Sequence, residues 1–120
     1  MKPQIDSTQF GSITIGGKTF DHDVVIRLNG EIVKRKKKLS KAVYGTSHKV
    51  SKDEAKFVHE DGAQQIIIGT GQNGILELSA EAEEYFRKKK CRIAVLPTPK
   101  AIKTWNDTKD NVVGLFHVTC

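Results

Sequence analysis

Three clusters of polar residues hold the side chains in this chain that could do chemistry. They are Tyr44-Gly45-Thr46-Ser47-His48, Gly69-Thr70-Gly71-Gln72-Asn73-Gly74 and His117-Val118-Thr119-Cys120. A histidine near a hydroxyl or a thiol is the pairing that activates a nucleophile. A glycine-rich loop can turn its backbone N–H groups towards an anion. The residue types therefore suggest a site, but they do not name a reaction.

The glycine-rich cluster fits the pattern G-x-G-x-x-G directly after a predicted strand, with Gly69, Gly71 and Gly74 as its glycines. A dinucleotide site also needs a helix that opens within the motif and an acidic residue at the end of the next strand. Residues 75–78 intervene before the next helix, and the next strand ends at Leu96 without a carboxylate. We therefore predict no cofactor. A loop that holds an anion or a carbonyl oxygen and a purely structural turn both remain open.

The cluster around His48 has two readings. Thr46 and Ser47 place hydroxyl groups beside the imidazole, but adjacent residues rarely aim at each other, and the G-x-S-x-G pattern of hydrolases is missing. The alternative is a loop held by Ser and Thr hydrogen bonds to its own backbone. The sequence favours this structural reading over catalysis.

The last cluster follows an apolar run, so we predict that residues 112–118 form an interior strand and that its end lies inside the fold. In a regular strand His117 and Cys120 point to opposite faces, whereas His117 shares a face with Thr119. The 46–48 loop or Thr98 is the expected hydrogen-bond partner of His117, and a contact between Cys120 and His48 remains open. The histidines and cysteines show no metal-ligand spacing, so we predict no metal site.

Composition predicts one cytoplasmic domain over residues 1–120. The net charge is +6, with 16 lysines against 4 arginines, a lysine-rich balance that resembles thermophile proteins. No apolar run is long enough to span a membrane, the N-terminus lacks a targeting pattern, and the two cysteines are expected to be reduced. The basic run Lys34-Arg35-Lys36-Lys37-Lys38 is predicted to be a solvated loop rather than a specific nucleic-acid site, because no RNA-reading signature accompanies it.

Secondary-structure signals predict an α/β fold. The first third carries β-hairpin signals at Gly16-Gly17 and Asn29-Gly30, and residues 34–49 read as irregular. Helices are predicted to begin at the caps Ser51, Ser79 and Thr98, and they alternate with strands at 65–69, 92–96 and 112–118. The pattern indicates one mixed sheet covered by helices, with the early hairpin appended.

The order of these motifs resembles a small α/β family that includes the adipogenesis-associated domain protein of animals and the mitochondrial respiratory complex I assembly factor three. The resemblance spans nearly the whole chain, and the lysine-rich composition is most similar to the archaeal branch. It rests on Phe10-Gly11, Tyr44-Gly45-Thr46-Ser47-His48, Ile68-Gly69-Thr70-Gly71, Gly74, Pro97-Thr98, Ala101, Asn106 and His117-Val118-Thr119-Cys120.

The resemblance implies a three-layer α/β fold around a mixed five-stranded sheet whose last strand runs antiparallel to its neighbours. It implies no reaction and no cofactor. Its assembly-factor members suggest binding to a protein partner, although the mitochondrial targeting segment of such members is missing from this sequence.

Two functions follow from the sequence. The leading hypothesis is a protein-binding or assembly module without enzymatic activity, whose oligomeric state is left open. The alternative is a small enzyme or a small-molecule-binding protein, with a pocket where loop 69–74, Thr98 and the His48 loop converge at the carboxyl ends of strands. The candidate pocket residues are Thr46, Ser47, His48, Gly69, Thr70, Gly71, Gly74, Thr98, Asn106, His117 and Cys120.

Overall fold

A computed structural model describes residues 2–120, which form ten strands and four helices. The strands are β1 (Ile5–Gln9), β2 (Ser12–Ile15), β3 (Lys18–Phe20), β4 (Val24–Ile26), β5 (Ile32–Lys34), β6 (Lys49–Val50), β7 (Gln65–Thr70), β8 (Glu77–Leu78), β9 (Arg92–Leu96) and β10 (Val112–His117). The helices are α1 (Lys38–Tyr44), α2 (Lys52–Val58), α3 (Ala80–Lys88) and α4 (Thr98–Asp107). None of these four helices has the length and apolar character to cross a membrane.

The central sheet has five strands in the order β5-β4-β10-β7-β9, which confirms the predicted mixed sheet. β10 is interior and buried along its whole length, as its apolar run predicts. It runs antiparallel to β4 but parallel to β7, so the expectation that the last strand opposes both neighbours is wrong on one side. The helical crossovers through α3 and α4 explain this, because such connections return the chain in the same direction.

The central sheet is the middle of three layers. Each of its two faces packs against its own apolar core. On one face α2 and α3 pack with Phe86, Leu115 and their neighbours, and on the other α4 and the N-terminal strands pack around Trp105. Gly114 of β10 makes room for the second core, because a Cβ there would lie 2.5 Å from the Phe116 ring and 3.0 Å from the Trp105 ring.

The N-terminal strands form a separate antiparallel sheet, β1-β2-β3. The predicted turn between β2 and β3 is confirmed, with Gly16 and Gly17 at φ of 56° and 82°. β1 was not predicted, because its residues after Ile5 are polar. It is attached to α4 through Asn106, whose side chain accepts from the Ile5 N–H at 2.9 Å and donates to the Ile5 carbonyl at 2.8 Å.

The helix starts are partly as predicted. Ser51 and Ser79 cap α2 and α3, their side chains accepting from the N–H groups of Glu54 and Ala82 at 3.1 and 3.0 Å. Thr98 does not cap α4, because Pro97 occupies the cap position and Thr98 is already helical. Residues 38–44, predicted to be irregular, form α1.

Candidate ligand site at the end of the central strand

A cavity of about 240 Å³ lies beside the carboxyl end of β10. We call it the histidine pocket. It is lined by Asp21, His22, Asp23, Lys34, Arg35, Lys37, Ser47, His48, His117, Val118 and Thr119. Four separate segments of the chain supply these residues, so the pocket exists only when the sheet is assembled.

Asp23 and His117 form the centre of the pocket. The antiparallel register of β4 with β10 pairs Val24 with Phe116, which brings Asp23 beside His117. Asp23 Oδ2 lies 2.7 Å from His117 Nδ1, and Asp23 Oδ1 accepts from the Val118 N–H at 2.9 Å. On the far side of the imidazole, Nε2 lies 3.3 Å from the Thr119 hydroxyl. The ring is therefore held between a carboxylate and a hydroxyl group.

The Asp23 carboxyl is held in its charged form. Burial by itself would raise its pKa, but hydrogen bonds from His117, the Val118 N–H and Arg35 outweigh that effect and lower the pKa to about 2. A carboxylate only accepts hydrogen bonds, so His117 Nδ1 carries the hydrogen it shares with Asp23. In a neutral imidazole this leaves the Nε2 lone pair facing Thr119.

Arg35 connects the pocket to a buried ion pair. Its guanidinium donates to Glu54 through Nε at 2.6 Å and Nη2 at 3.0 Å, and to Asp23 through Nη1 at 3.0 Å. Burial would lower the Arg35 pKa, yet these carboxylates raise it. Arg35 is 5% exposed and Glu54 is fully buried, so the prediction of a solvated loop is wrong for Arg35. The acidic partners are distant in sequence, which is why the run seemed to lack them.

Glu54 stands three residues after Ser51, the spacing of a capping box, but its carboxylate is used elsewhere. Its carboxylate does not return to the Ser51 N–H, which donates instead to the Ser40 hydroxyl at 2.9 Å. Ser40 in turn donates to Glu54 Oε1. In residues 2–120 every buried side-chain nitrogen and oxygen has a hydrogen-bond partner, so this network is complete.

The network positions the loop that carries His48. Arg35 Nη2 donates to the Ser47 carbonyl at 2.6 Å, and the His48 N–H donates to the Thr46 hydroxyl at 3.1 Å. The second bond is the type that the structural reading of this loop predicts. The His48 ring then packs edge-on against the His117 ring, with centroids 5.6 Å apart.

The glycine-rich loop binds the chain's own backbone. The N–H groups of Gln72, Asn73 and Ile75 donate to Thr119 O at 2.7 Å and to Cys120 O at 3.2 and 3.1 Å. Gly71 has φ of +102°, and a Cβ there would lie 2.3 Å from the Cys120 carbonyl carbon. In the structure these N–H groups therefore hold backbone oxygens of Thr119 and Cys120.

Thr98 supports the same loop from α4. Its hydroxyl donates to the His117 carbonyl at 2.6 Å and accepts from the Gly71 N–H at 2.9 Å. Gly69 is crowded rather than left-handed, because a Cβ there would lie 2.8 Å from Thr98 Oγ1. The prediction that the 46–48 loop or Thr98 supplies the hydrogen-bond partner of His117 is wrong for the ring, which bonds to Asp23. It holds for the carbonyl of His117, which accepts from Thr98.

The candidate pocket residues thus fall into separate places. Ser47, His48 and His117 line the histidine pocket, whereas Thr70 and Gly74 line a second cleft of about 600 Å³. The second cleft is completed by Leu76, Glu77, Leu78, Glu83, Ile93, Val95 and Pro97. The remaining candidates line neither cavity: Thr46, Gly69, Gly71, Thr98 and Cys120 support the loops, and Asn106 holds β1.

The sequence reading missed the acidic and basic residues that complete the histidine pocket. Asp23 is separated from His117 by 94 positions, and Arg35 from Glu54 by 19. The feature that could have identified Asp23 is its place directly before β4, because a carboxylate next to a fully buried strand is unusual. Within the described chain no three His, Cys, Asp or Glu side chains are placed to hold a metal ion, and both thiols are free.

One family model and several solved structures match this chain over most of its length. A family model described as a protein of unknown function (DUF498/DUF598) matches residues 5–117. A conserved hypothetical protein from Pyrococcus horikoshii OT3 is 34% identical, with 98% of this chain and 99% of that chain covered and a TM-score of 0.88. A protein named MT938 is 31% identical over 99% of this chain and 100% of that one, with a TM-score of 0.84. A Mth938-like domain of Bordetella pertussis shares the fold at 17% identity, covering 97% and 85% of the two chains with a TM-score of 0.65.

Proposed function

The chain belongs to the DUF498/DUF598 family of proteins of unknown function, and we propose that this member binds a small acidic molecule in the histidine pocket. The observation that carries the proposal is that His48, Lys34 and Lys37 line one cavity beside His117. Imidazole and ammonium groups are the donors that a carboxylate or phosphate ligand needs.

Charge and size define the class of ligand. The oxygens of the Asp23 carboxylate are already engaged by His117, Arg35 and the Val118 N–H, so they are not free to bind a cationic group of a ligand. Lys34 and Lys37 bring two positive charges to the wall, which also contains the carboxylates of Asp21 and Asp23. A cavity of about 240 Å³ is smaller than the usual range for drug-sized ligands, and suits an acid of a few carbon atoms.

Anion titrations followed by NMR test the proposal. Acetate, succinate and inorganic phosphate would be added separately to labelled protein, with the ring signals of His48 and His117 as the readout. We expect at least one anion to give saturable shifts, and Lys34→Ala/Lys37→Ala to weaken its binding at least tenfold. Lys88→Ala/Lys89→Ala, at the end of α3, is the matched control. Unsaturable shifts for all three anions, or equal affinity in the two double variants, would reject the proposal.

Binding of a protein partner is a second candidate, and a different surface favours it. β9 is an edge strand, and the second cleft lies beside it. Val95 on this edge is 43% exposed and Ile75 beyond it is 52% exposed, with the carboxylates of Glu77 and Glu83 in the cleft wall. An extended segment bearing basic residues would pair with the open edge and meet these carboxylates.

A strand-forming peptide with alternating valine and lysine is the probe for this candidate. We expect the amide signals of residues 92–96 to shift on its addition, and Val95→Lys to abolish the shift. Val43→Lys is the control, because Val43 is exposed on the helix α1 and does not belong to the edge strand. If Val95→Lys and Val43→Lys bind the peptide equally, the edge of β9 is not the docking site.

A further inference from the structure

We propose that Thr119, His117 and Asp23 act as nucleophile, base and orienting acid in an acyl-transfer site. The inference rests on the histidine pocket as a ligand site and adds a reaction to it. Hydrogen-bond contacts connect the three groups in that order, with 2.7 Å from Asp23 Oδ2 to His117 Nδ1 and 3.3 Å from His117 Nε2 to Thr119 Oγ1. A nucleophile within reach of a base that a third group orients is the geometric signature of such a site.

The hydrogen-bond roles agree with this assignment. Because the Asp23 carboxylate accepts from Nδ1, the neutral His117 ring presents an acceptor at Nε2, and the Thr119 hydroxyl is its donor. Removal of that proton is the first step of catalysis by a hydroxyl group. Arg35, which also donates to Asp23, keeps the carboxylate in place for the imidazolium that forms.

The position of Thr119 is fixed although it lies beyond the end of β10. Val118 O accepts from the Gly11 N–H at 2.8 Å, and Thr119 O accepts from the Gln72 N–H at 2.7 Å. The N–H groups of Asn73 and Ile75 hold Cys120 O on the other side. Val118 is buried, whereas Thr119 is half-buried and lines the histidine pocket. The backbone is thus held rigidly while the hydroxyl remains accessible. A nucleophile has to be held in place in this way while a substrate can still reach it.

The substrate class is an ester or thioester of a small acid. Thr119 Oγ forms a bond to the acyl carbon while its proton passes to His117 Nε2. The bond from the acyl carbon to the leaving oxygen or sulfur then breaks, and the leaving group takes the proton from His117. Lys37 and His48 line the same cavity and supply positive charge or a hydrogen-bond donor for the oxygen of the tetrahedral intermediate. Water repeats the sequence and releases the acid from Thr119.

The test uses p-nitrophenyl acetate and p-nitrophenyl hydrogen succinate, with intact mass and peptide mapping as the readout. We expect one acyl group on Thr119, which Thr119→Ser keeps and Thr119→Val loses. Thr14→Val, at an exposed hydroxyl on β2, is the matched control and should not change the labelling. Asp23→Asn should slow acylation of Thr119 by at least a hundredfold, since it removes the group that orients the imidazole.

The acyl label on Thr119 reports the triad, whereas the anion titrations of the parent protein report the proposed binding function, so the two can fail separately. If the acyl label on Thr119 is kept by Thr119→Ser and lost by Thr119→Val, the triad is supported. If acyl groups appear only on lysines, or at equal rates on Thr119→Val and the parent, the triad is overturned whether or not anions bind.

Discussion

Arg35→Met should destabilise the protein more than any other single substitution in the basic run 34–38. Arg35 is almost fully buried and donates to Glu54, Asp23 and the Ser47 carbonyl. Methionine fills much of the same volume but donates no hydrogen bond. The substitution therefore leaves the charge of Glu54, which has no exposed surface, without its arginine partner.

The expected cost is about 3–5 kcal/mol, the usual penalty when one partner of a buried ion pair is removed. A single domain has only about 5–15 kcal/mol of stability in total, so this loss is a large fraction of it. Arg35→Met/Glu54→Leu should recover part of this loss, because the double variant no longer buries an unpaired charge.

Urea denaturation followed by circular dichroism measures these changes. For a slope of about 1–3 kcal/mol/M, the midpoint of Arg35→Met should fall by at least about 1 M at unchanged slope. Lys38→Met is the control, since Lys38 is exposed and its replacement should change stability by less than about 0.5 kcal/mol. An Arg35→Met midpoint equal to that of Lys38→Met would show that the buried network does not stabilise the fold.

Two further predictions concern the loop around Gly71 and the charge of Asp23. Gly71→Ala should lower the melting temperature by several degrees more than Gly45→Ala in calorimetry. Both glycines have positive φ, but a Cβ at Gly71 also meets backbone of Cys120, whereas space at Gly45 is open; equal melting temperatures would contradict this. The pKa of Asp23 falls from 3.8 to about 2 on folding, so its charge stabilises the fold above about pH 4, and about 2 kcal/mol is lost as the pH falls towards 2. Acid titrations of stability should show Asp23→Asn with a shallower slope across that range, and identical slopes would refute the assignment.

Local chemistry was sufficient to predict much of the fold. Ser51 and Ser79 act as helix caps, and Gly16-Gly17 forms the hairpin turn, because each depends on residues only a few positions away. Continuous apolar runs identified β7 and β10 for the same reason. α1 escaped prediction because its seven residues include two lysines and carry weak apolar periodicity, and its place depends on Ser40 reaching Glu54.

The candidate site was less predictable, since its geometry depends on pairings across the sheet. His117 and His48 could be selected from the sequence as unusual polar residues, but nothing near them in sequence identifies Asp23 as the partner of the imidazole. That assignment needs the register of β4 against β10. The role of Arg35 likewise depends on α2 packing over the sheet, which turns one member of a basic run inward and leaves Lys36, Lys37 and Lys38 outside.

The order of the strands has a consequence for synthesis of the domain. β10 lies between β4 and β7 in the sheet, yet it is the last element to be translated. Until it emerges from the ribosome, the β4–β5 pair and the β7–β9 pair have no strand to join them, and each exposes an apolar edge to other chains. The nascent domain therefore has to remain unaggregated until translation delivers its central strand, and completing the sheet coincides with forming the histidine pocket.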